Sequence, residues 1–193
     1  MKKIPIGVDD FKKLIENNAY YIDKTKFIAD ILNDAAEVKL FTRPRRFGKT
    51  LNMSTLKYFF DIQNKDENRK LFNGLDIEKS QYISEQGKYP VIFISMKGIK
   101  APNWEDYLFQ IKTLIKELYN EFSFIREILN KSELDSFDKI WLKKDDGEYT
   151  NALKNLTSFL YKYYKKEVIL LIDEYDAPLI NAYEYGYYDE AIL

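Results

Sequence analysis

The sequence contains no cysteine and no histidine. The first absence excludes disulfide scaffolds and thiolate metal sites. The second excludes imidazole catalysis, Ser-His triads and histidine-ligated zinc. Charge of one sign is also lacking: 30 basic and 31 acidic residues leave a net charge of −1, so no overall basicity points to nucleic acid or anionic lipid. No apolar run approaches the roughly 20 residues that a bilayer span needs. Met1-Lys2-Lys3 resembles a signal n-region, but Asp9-Asp10 cuts off the apolar stretch behind it. A soluble, cytoplasmic protein with no membrane partner is the expectation. Glycine (7) and proline (5) are scarce, and neither an internal repeat nor a low-complexity linker is visible. What is present suits a folded domain: 46% hydrophobic and 32% charged residues over 193 positions, enough for a real core. Chemistry is left to carboxylates, Lys, Arg, hydroxyls and backbone amides. The 30 basic residues comprise 25 Lys and 5 Arg, and three of those arginines (Arg43, Arg45, Arg46) fall within four positions.

Patterning predicts two short helices within residues 8–33, the first capped by Asp9 or Asp10 and broken at Asn17-Asn18, the second capped by Asp23. A strand is predicted over Val38–Thr42, then a loop from Arg43 to Gly48 and a helix from Lys49 to about Asp61. Residues 62–88 are polar and turn-rich. Pro90–Met96 reads as a strand apolar on both faces, and the stripe from Tyr107 to Phe122 as a long amphipathic helix over 104–122. Another helix is predicted over 150–165. Val168-Ile169-Leu170-Leu171-Ile172 is the strongest strand and ends at Asp173-Glu174. Strands alternating with helices imply an α/β sandwich with parallel pairing. Residues 1–35 would form a helical segment ahead of the first core strand.

Two strand ends carry candidate chemistry. Arg43-Pro44-Arg45-Arg46-Phe47-Gly48-Lys49-Thr50 follows a predicted strand and opens a predicted helix, the setting of a phosphate loop. Unpaired amides and the dipole at a helix start favour an anion. Gly48 allows close backbone approach, Lys49 would reach the β- and γ-phosphates, and the Thr50 hydroxyl would hold Mg²⁺. The cradle itself would be the backbone of Arg45, Arg46, Phe47, Gly48, Lys49, Thr50 and Leu51. Arg43 stands where the usual loop has its first glycine. Asp173 and Glu174 lie at the C-terminal end of an apolar strand, where ligands bind in open α/β sheets. There Asp173 would hold Mg²⁺ through water, and Glu174 would polarise an attacking water. Bland readings stand beside these: a plain helix start and a solvated acidic pair. The arginines have three readings, namely triphosphate contacts, ion pairs with acidic neighbours such as Asp173 or Asp176, or a nucleic-acid patch. Asp23-Lys24-Thr25 reads as a helix cap and first turn, or as a segment near the nucleotide. Tyr183, Tyr185, Tyr187 and Tyr188 read as a partly exposed aromatic helix.

The runs Tyr21–Thr25, Arg43–Ser54, Tyr89–Ile92 and Leu171–Pro178 resemble the bacterial AAA-ATPase-like proteins over nearly the whole chain. In that family an Arg also replaces the first loop glycine, and many members carry a PD-(D/E)XK nuclease-like domain after the ATPase. The resemblance implies a P-loop NTPase of the additional-strand, catalytic-glutamate class, a three-layer αβα sandwich. It implies ATP and Mg²⁺ as ligands, Lys49 and Thr50 as phosphate and metal residues, and Asp173 and Glu174 as the Walker B pair. In that class a later strand lies between the two motif strands, and the 19 residues after Glu174 hold no room for it. The expectation is therefore an N-terminal piece, 1–193, of a longer protein whose next domain acts on nucleic acid or a protein client, with its oligomeric state open. A non-hydrolysing nucleotide-binding or interaction scaffold with a degenerate loop is the rival reading, and a small-molecule phosphotransferase a weaker one.

Overall fold

The computed structural model describes residues 2–42, 44, 47–144 and 148–192. The chain divides into two compact units, residues 1–91 and 92–193.

The first unit is helical. Asp10 caps α1 (Phe11–Glu16) by accepting the Lys13 N–H at 2.8 Å, and Asn18 ends that stretch at φ 47°, a conformation Asn tolerates. Next come α2 (Lys26–Asn33), α3 (Lys49–Phe60) and α4 (Lys65–Lys70), then 3-10 helices over Asp76–Lys79 and Gln81–Glu85. A single parallel bridge joins Asp61 to Tyr89. Aromatic side chains build the core. Phe72 meets Phe11 at 5.1 Å and Phe59 at 5.3 Å between ring centroids, and Ile28, Leu56 and Ile77 are buried with them. Burying each such side chain contributes about 1.5–3 kcal/mol relative to leaving it in water.

The second unit pairs strands β1 (Val91–Ser95) and β2 (Ile169–Asp173). The Met96 N–H donates to the Asp173 carbonyl at 3.0 Å. That bond joins the C-terminal ends of both strands, so they run parallel. Around β1 lie α5 (Trp104–Glu121), α6 (Lys131–Trp141) and α7 (Ala152–Tyr164). Ile92 and Ile94 share one core with Ile115, Leu118, Tyr119, Phe137, Leu156 and Leu160. The Tyr119 hydroxyl is satisfied inside that core by the Ala152 carbonyl at 2.7 Å. Two further helices follow β2, α8 (Ala177–Tyr185) and α9 (Tyr188–Ile192).

Three expectations need correction. Val38–Thr42 forms no strand, and Val38 is 87% exposed. Among the described residues it has no neighbouring strand, and a lone extended segment leaves its ladder groups unpaired. β2 is not covered on both faces: Leu171 and Asp173 are buried, whereas Leu170 and Ile172 are 43% and 36% exposed. Helices therefore cover one face of this strand, and the other lies open. Asp23 does not cap α2, whose N-cap is Thr25. The α6 helix starts at a capping box formed by Asn130 and Glu133.

Candidate functional site

Gly48, Lys49 and Thr50 lie in the first unit. Gly48 is the N-cap of α3 at φ 74° and ψ 23°, a left-handed conformation that glycine reaches without steric cost. Its carbonyl accepts the Asn52 N–H at 2.9 Å, the first bond of the helix. Gly48 has no side chain to cap the leading amides of α3. Among the described residues, a Cβ placed on Gly48 would meet nothing within 4 Å. Lys49, Thr50 and Leu51 are half-buried in the first turn, and Phe47 is exposed. Among the described residues, no partner holds the Lys49 ammonium or the Thr50 hydroxyl. Arg43, Arg45 and Arg46 lie outside the described residues.

The far side of α3 is tied down. Ser54 Oγ accepts the Phe11 N–H at 2.9 Å and donates to the Leu51 carbonyl at 2.9 Å. The Tyr58 hydroxyl donates to Asp10 Oδ2 at 2.9 Å. Burial, reinforced by Asp10, pushes the Tyr58 hydroxyl well above its ordinary pKa. Ser54 belongs to the same run as the loop, and its role is to seat the helix rather than to meet a ligand.

Asp173 and Glu174 lie in the second unit. Asp173 ends β2 with only 3% of its surface exposed. Its backbone carbonyl is used by Met96, but its Oδ2 has no hydrogen-bond partner among the described residues. An unpartnered buried acceptor costs about 1–3 kcal/mol. Glu174 follows at φ 53°, and its carbonyl accepts the Ala177 N–H at 3.0 Å, so the chain turns sharply into α8. A left-handed conformation costs a non-glycine residue roughly 1–2 kcal/mol. Such strain collects at functional turns. Pro178 lies in the first turn of α8, where its missing N–H removes no helix bond.

Hard divalent cations take oxygen ligands, and Asp173 Oδ2 is an oxygen without a hydrogen-bond partner among the described residues. Among the described residues, no group of three or more acidic side chains gathers as a metal cage. Lys49 and Thr50 belong to one unit and Asp173 and Glu174 to the other.

Other singled-out residues resolve differently. Asp23 and Thr25 form a fastener: Asp23 Oδ1 accepts the Thr25 N–H and hydroxyl, and Oδ2 accepts the Asp76 N–H. Tyr183, Tyr185 and Tyr188 are exposed as expected, but Tyr187 is buried. Its hydroxyl and Asn181 Oδ1 meet at 2.6 Å, a pairing that patterning missed. The signal was a lone amide, Asn181, inside an otherwise apolar stretch. Among the described residues, no helix is long and apolar enough to cross a membrane.

Comparison with known proteins gives a consistent result. An uncharacterized protein in the vnfD 5′ region of Azotobacter chroococcum mcd 1 is 28% identical over 181 residues. The match takes in 93% of this chain but 30% of that relative, so the chain spans under a third of the length of the curated relative it matches. No solved structure matches. A family model described as predicted AAA-ATPase matches residues 5–192, and the chain belongs to that AAA-ATPase-like family.

Proposed function

We propose that the chain is a P-loop module that binds ATP with Mg²⁺ and hydrolyses it. The observation that carries this reading is the buried, unpartnered Asp173 Oδ2 at a strand end, followed at once by the strained Glu174. The family match and the uncapped, Gly48-led start of α3 support it. In this reading Lys49, Thr50, Asp173 and Glu174 act on the same nucleotide, and the fold class is that of the P-loop NTPases.

Each residue then has a defined task. Backbone amides of Arg45 through Leu51 cradle the β- and γ-phosphates, and Lys49 places a point charge against them. Thr50 and Asp173 hold Mg²⁺, which supplies charge neutralisation on the phosphate oxygens. Glu174 accepts a hydrogen bond from a water in line with the γ-phosphorus and takes its proton as the new P–O bond forms. The bond from the γ-phosphorus to the bridging oxygen breaks, leaving ADP and inorganic phosphate. Positioning and charge compensation supply most of the rate in phosphoryl transfer. Arg45 and Arg46 add positive charge beside the triphosphate. In a longer protein, nucleotide state would drive a following domain, nuclease-like and acting on nucleic acid or a protein client.

The test pairs affinity with turnover. Labelled ATP and phosphate release are measured with Mg²⁺ for wild type, Lys49→Ala and Glu174→Gln. The expected result is binding lost in the first variant, and turnover lost with binding kept in the second. Tight binding without turnover in wild type would instead favour the non-hydrolysing scaffold.

A further inference from the structure

Asn181 sits just over one turn into α8, the helix that begins three residues after Glu174. Its side chain is buried with 3% exposure. Oδ1 accepts the Ala101 N–H at 2.9 Å and the Tyr187 hydroxyl at 2.6 Å. The same hydroxyl lies 3.1 Å from the Ala101 carbonyl, and Tyr187 is itself buried. One amide oxygen thus binds together α8, the residue just ahead of α9, and the connection between β1 and α5. The amide Nδ2 has no partner among the described residues. A buried polar group kept at that cost calls for a specific reason.

The connection reached at Ala101 is also reached from β2. Met96, five residues earlier, donates its N–H to the Asp173 carbonyl, and the Ile99 N–H closes a turn onto the Met96 carbonyl. The span from Asp173 to Asn181 is therefore anchored at both ends on one short segment, Met96–Ala101. Glu174 lies between the anchors in its left-handed conformation. A strained residue of that kind persists only where its surroundings over-determine it.

We infer that Asn181 is a positioning residue: by fastening α8 to Ala101 it fixes the turn that aims the Glu174 carboxylate. This rests on the reading of Glu174 as the water-orienting group. Asp173 is held directly by Met96, so the inference concerns Glu174 and the orientation of water, not nucleotide affinity.

Three variants test it, by steady-state ATP hydrolysis and by exchange of the Ala177 amide, which bonds to the Glu174 carbonyl. Asn181→Leu keeps the volume and removes the acceptor. It is expected to lower kcat about tenfold with KM little changed, and to speed Ala177 exchange about tenfold. Asn181→Asp keeps an acceptor oxygen and is expected to restore both. Should the leucine variant not fold, Tyr187→Phe removes one donor, keeps the ring and shows the same pattern in weaker form. Unchanged kcat and unchanged Ala177 exchange in a folded acceptor-deleted variant overturn the inference. So does a fall confined to affinity. If wild type binds ATP but never turns it over, the hydrolytic reading of Glu174 fails by itself. Ala177 exchange then decides alone whether Asn181 holds the turn.

Discussion

The carboxylate of Asp23 accepts the backbone N–H of Asp76 at 2.6 Å, joining positions 53 residues apart. Its other oxygen takes the Thr25 N–H at 2.8 Å and the Thr25 hydroxyl at 2.7 Å. Thr25, fully buried, accepts the Ile77 N–H at 3.1 Å. Asp23 and Thr25 thus pin the start of α2 to the 3-10 helix over Asp76–Lys79. Hydrogen bonds to charged groups contribute about 1.5–3 kcal/mol each, and their losses are not additive. Asp23→Ala should destabilise the first unit by about 2–4 kcal/mol. A urea titration would show a lower midpoint with unchanged slope, and the folded protein should still bind ATP normally. Lost ATP binding at full stability would move this segment into the site.

Gly48 separates folding from binding in a single substitution. At φ 74° an alanine costs roughly 1 kcal/mol in backbone strain, and its methyl meets no atom of the described residues within 4 Å. The melting temperature should therefore fall by only a few degrees. The new methyl projects into open space at the start of α3, where the phosphates are proposed to lie. ATP affinity should then fall about tenfold or more, equivalent to 1.4 kcal/mol. Unchanged affinity in calorimetry would remove the phosphates from this place.

How much of this was legible depended on whether the deciding force was local. The α5 helix, the end of α1 at Asn17-Asn18 and both paired strands follow from periodicity and capping, which act within a few residues. The helix start at Gly48-Lys49 and the end of β2 at Asp173 were legible for the same reason. Val38–Thr42 has the residues of a strand, yet pairing is a relation between segments, and the sequence alone supplies no partner. Nor could patterning reveal that Leu170 and Ile172 lie uncovered, since a run of five apolar residues carries no alternation to orient it. Asp23, Asn181 and Tyr187 form bonds across 53, 80 and 86 residues, distances at which no local pattern exists.

Glu174 offers a trade between stability and function. Glycine at this position adopts φ 53° without the penalty that a Cβ brings. Glu174→Gly should leave the fold intact or raise its stability by about 0.5–1 kcal/mol, net of glycine's larger unfolded-state entropy. It should also abolish ATP turnover, because the group proposed to orient water is gone. Denaturant midpoint and phosphate release, measured on the same sample, check both halves. Destabilisation with full turnover would make Glu174 a structural residue.

The register of β2 makes neighbouring residues respond oppositely. Leu171 points into the core, while Leu170 and Ile172 face out. Leu171→Ala should cost about 2–5 kcal/mol, as buried leucines do. Leu170→Ser and Ile172→Ser should stay within about 0.5 kcal/mol in this chain. The two serine changes should also improve solubility by removing apolar surface beside an unpaired strand edge. Equal destabilisation at all three positions would mean that the second face is covered, as in the full three-layer sandwich.

Tyrosine burial sets the alkaline limit of the fold. Burial pushes the Tyr21 hydroxyl up to about 12 from 10.0, partly offset by hydrogen bonding at Lys24 and Thr55. Tyr119 is raised further, by burial alone. For such a group the folded state favours the protonated form more than the unfolded state does. Its contribution is therefore complete below pH 10 and is lost as pH rises from 10 towards 12. Urea midpoints should be flat up to about pH 9.5 and fall steeply above it. Tyr21→Phe keeps the ring against Phe11, 5.5 Å away, and removes the ionisable group. It should flatten part of that fall while changing the neutral-pH midpoint little. A variant with the same alkaline slope as wild type would show that Tyr21 ionises freely in the folded protein.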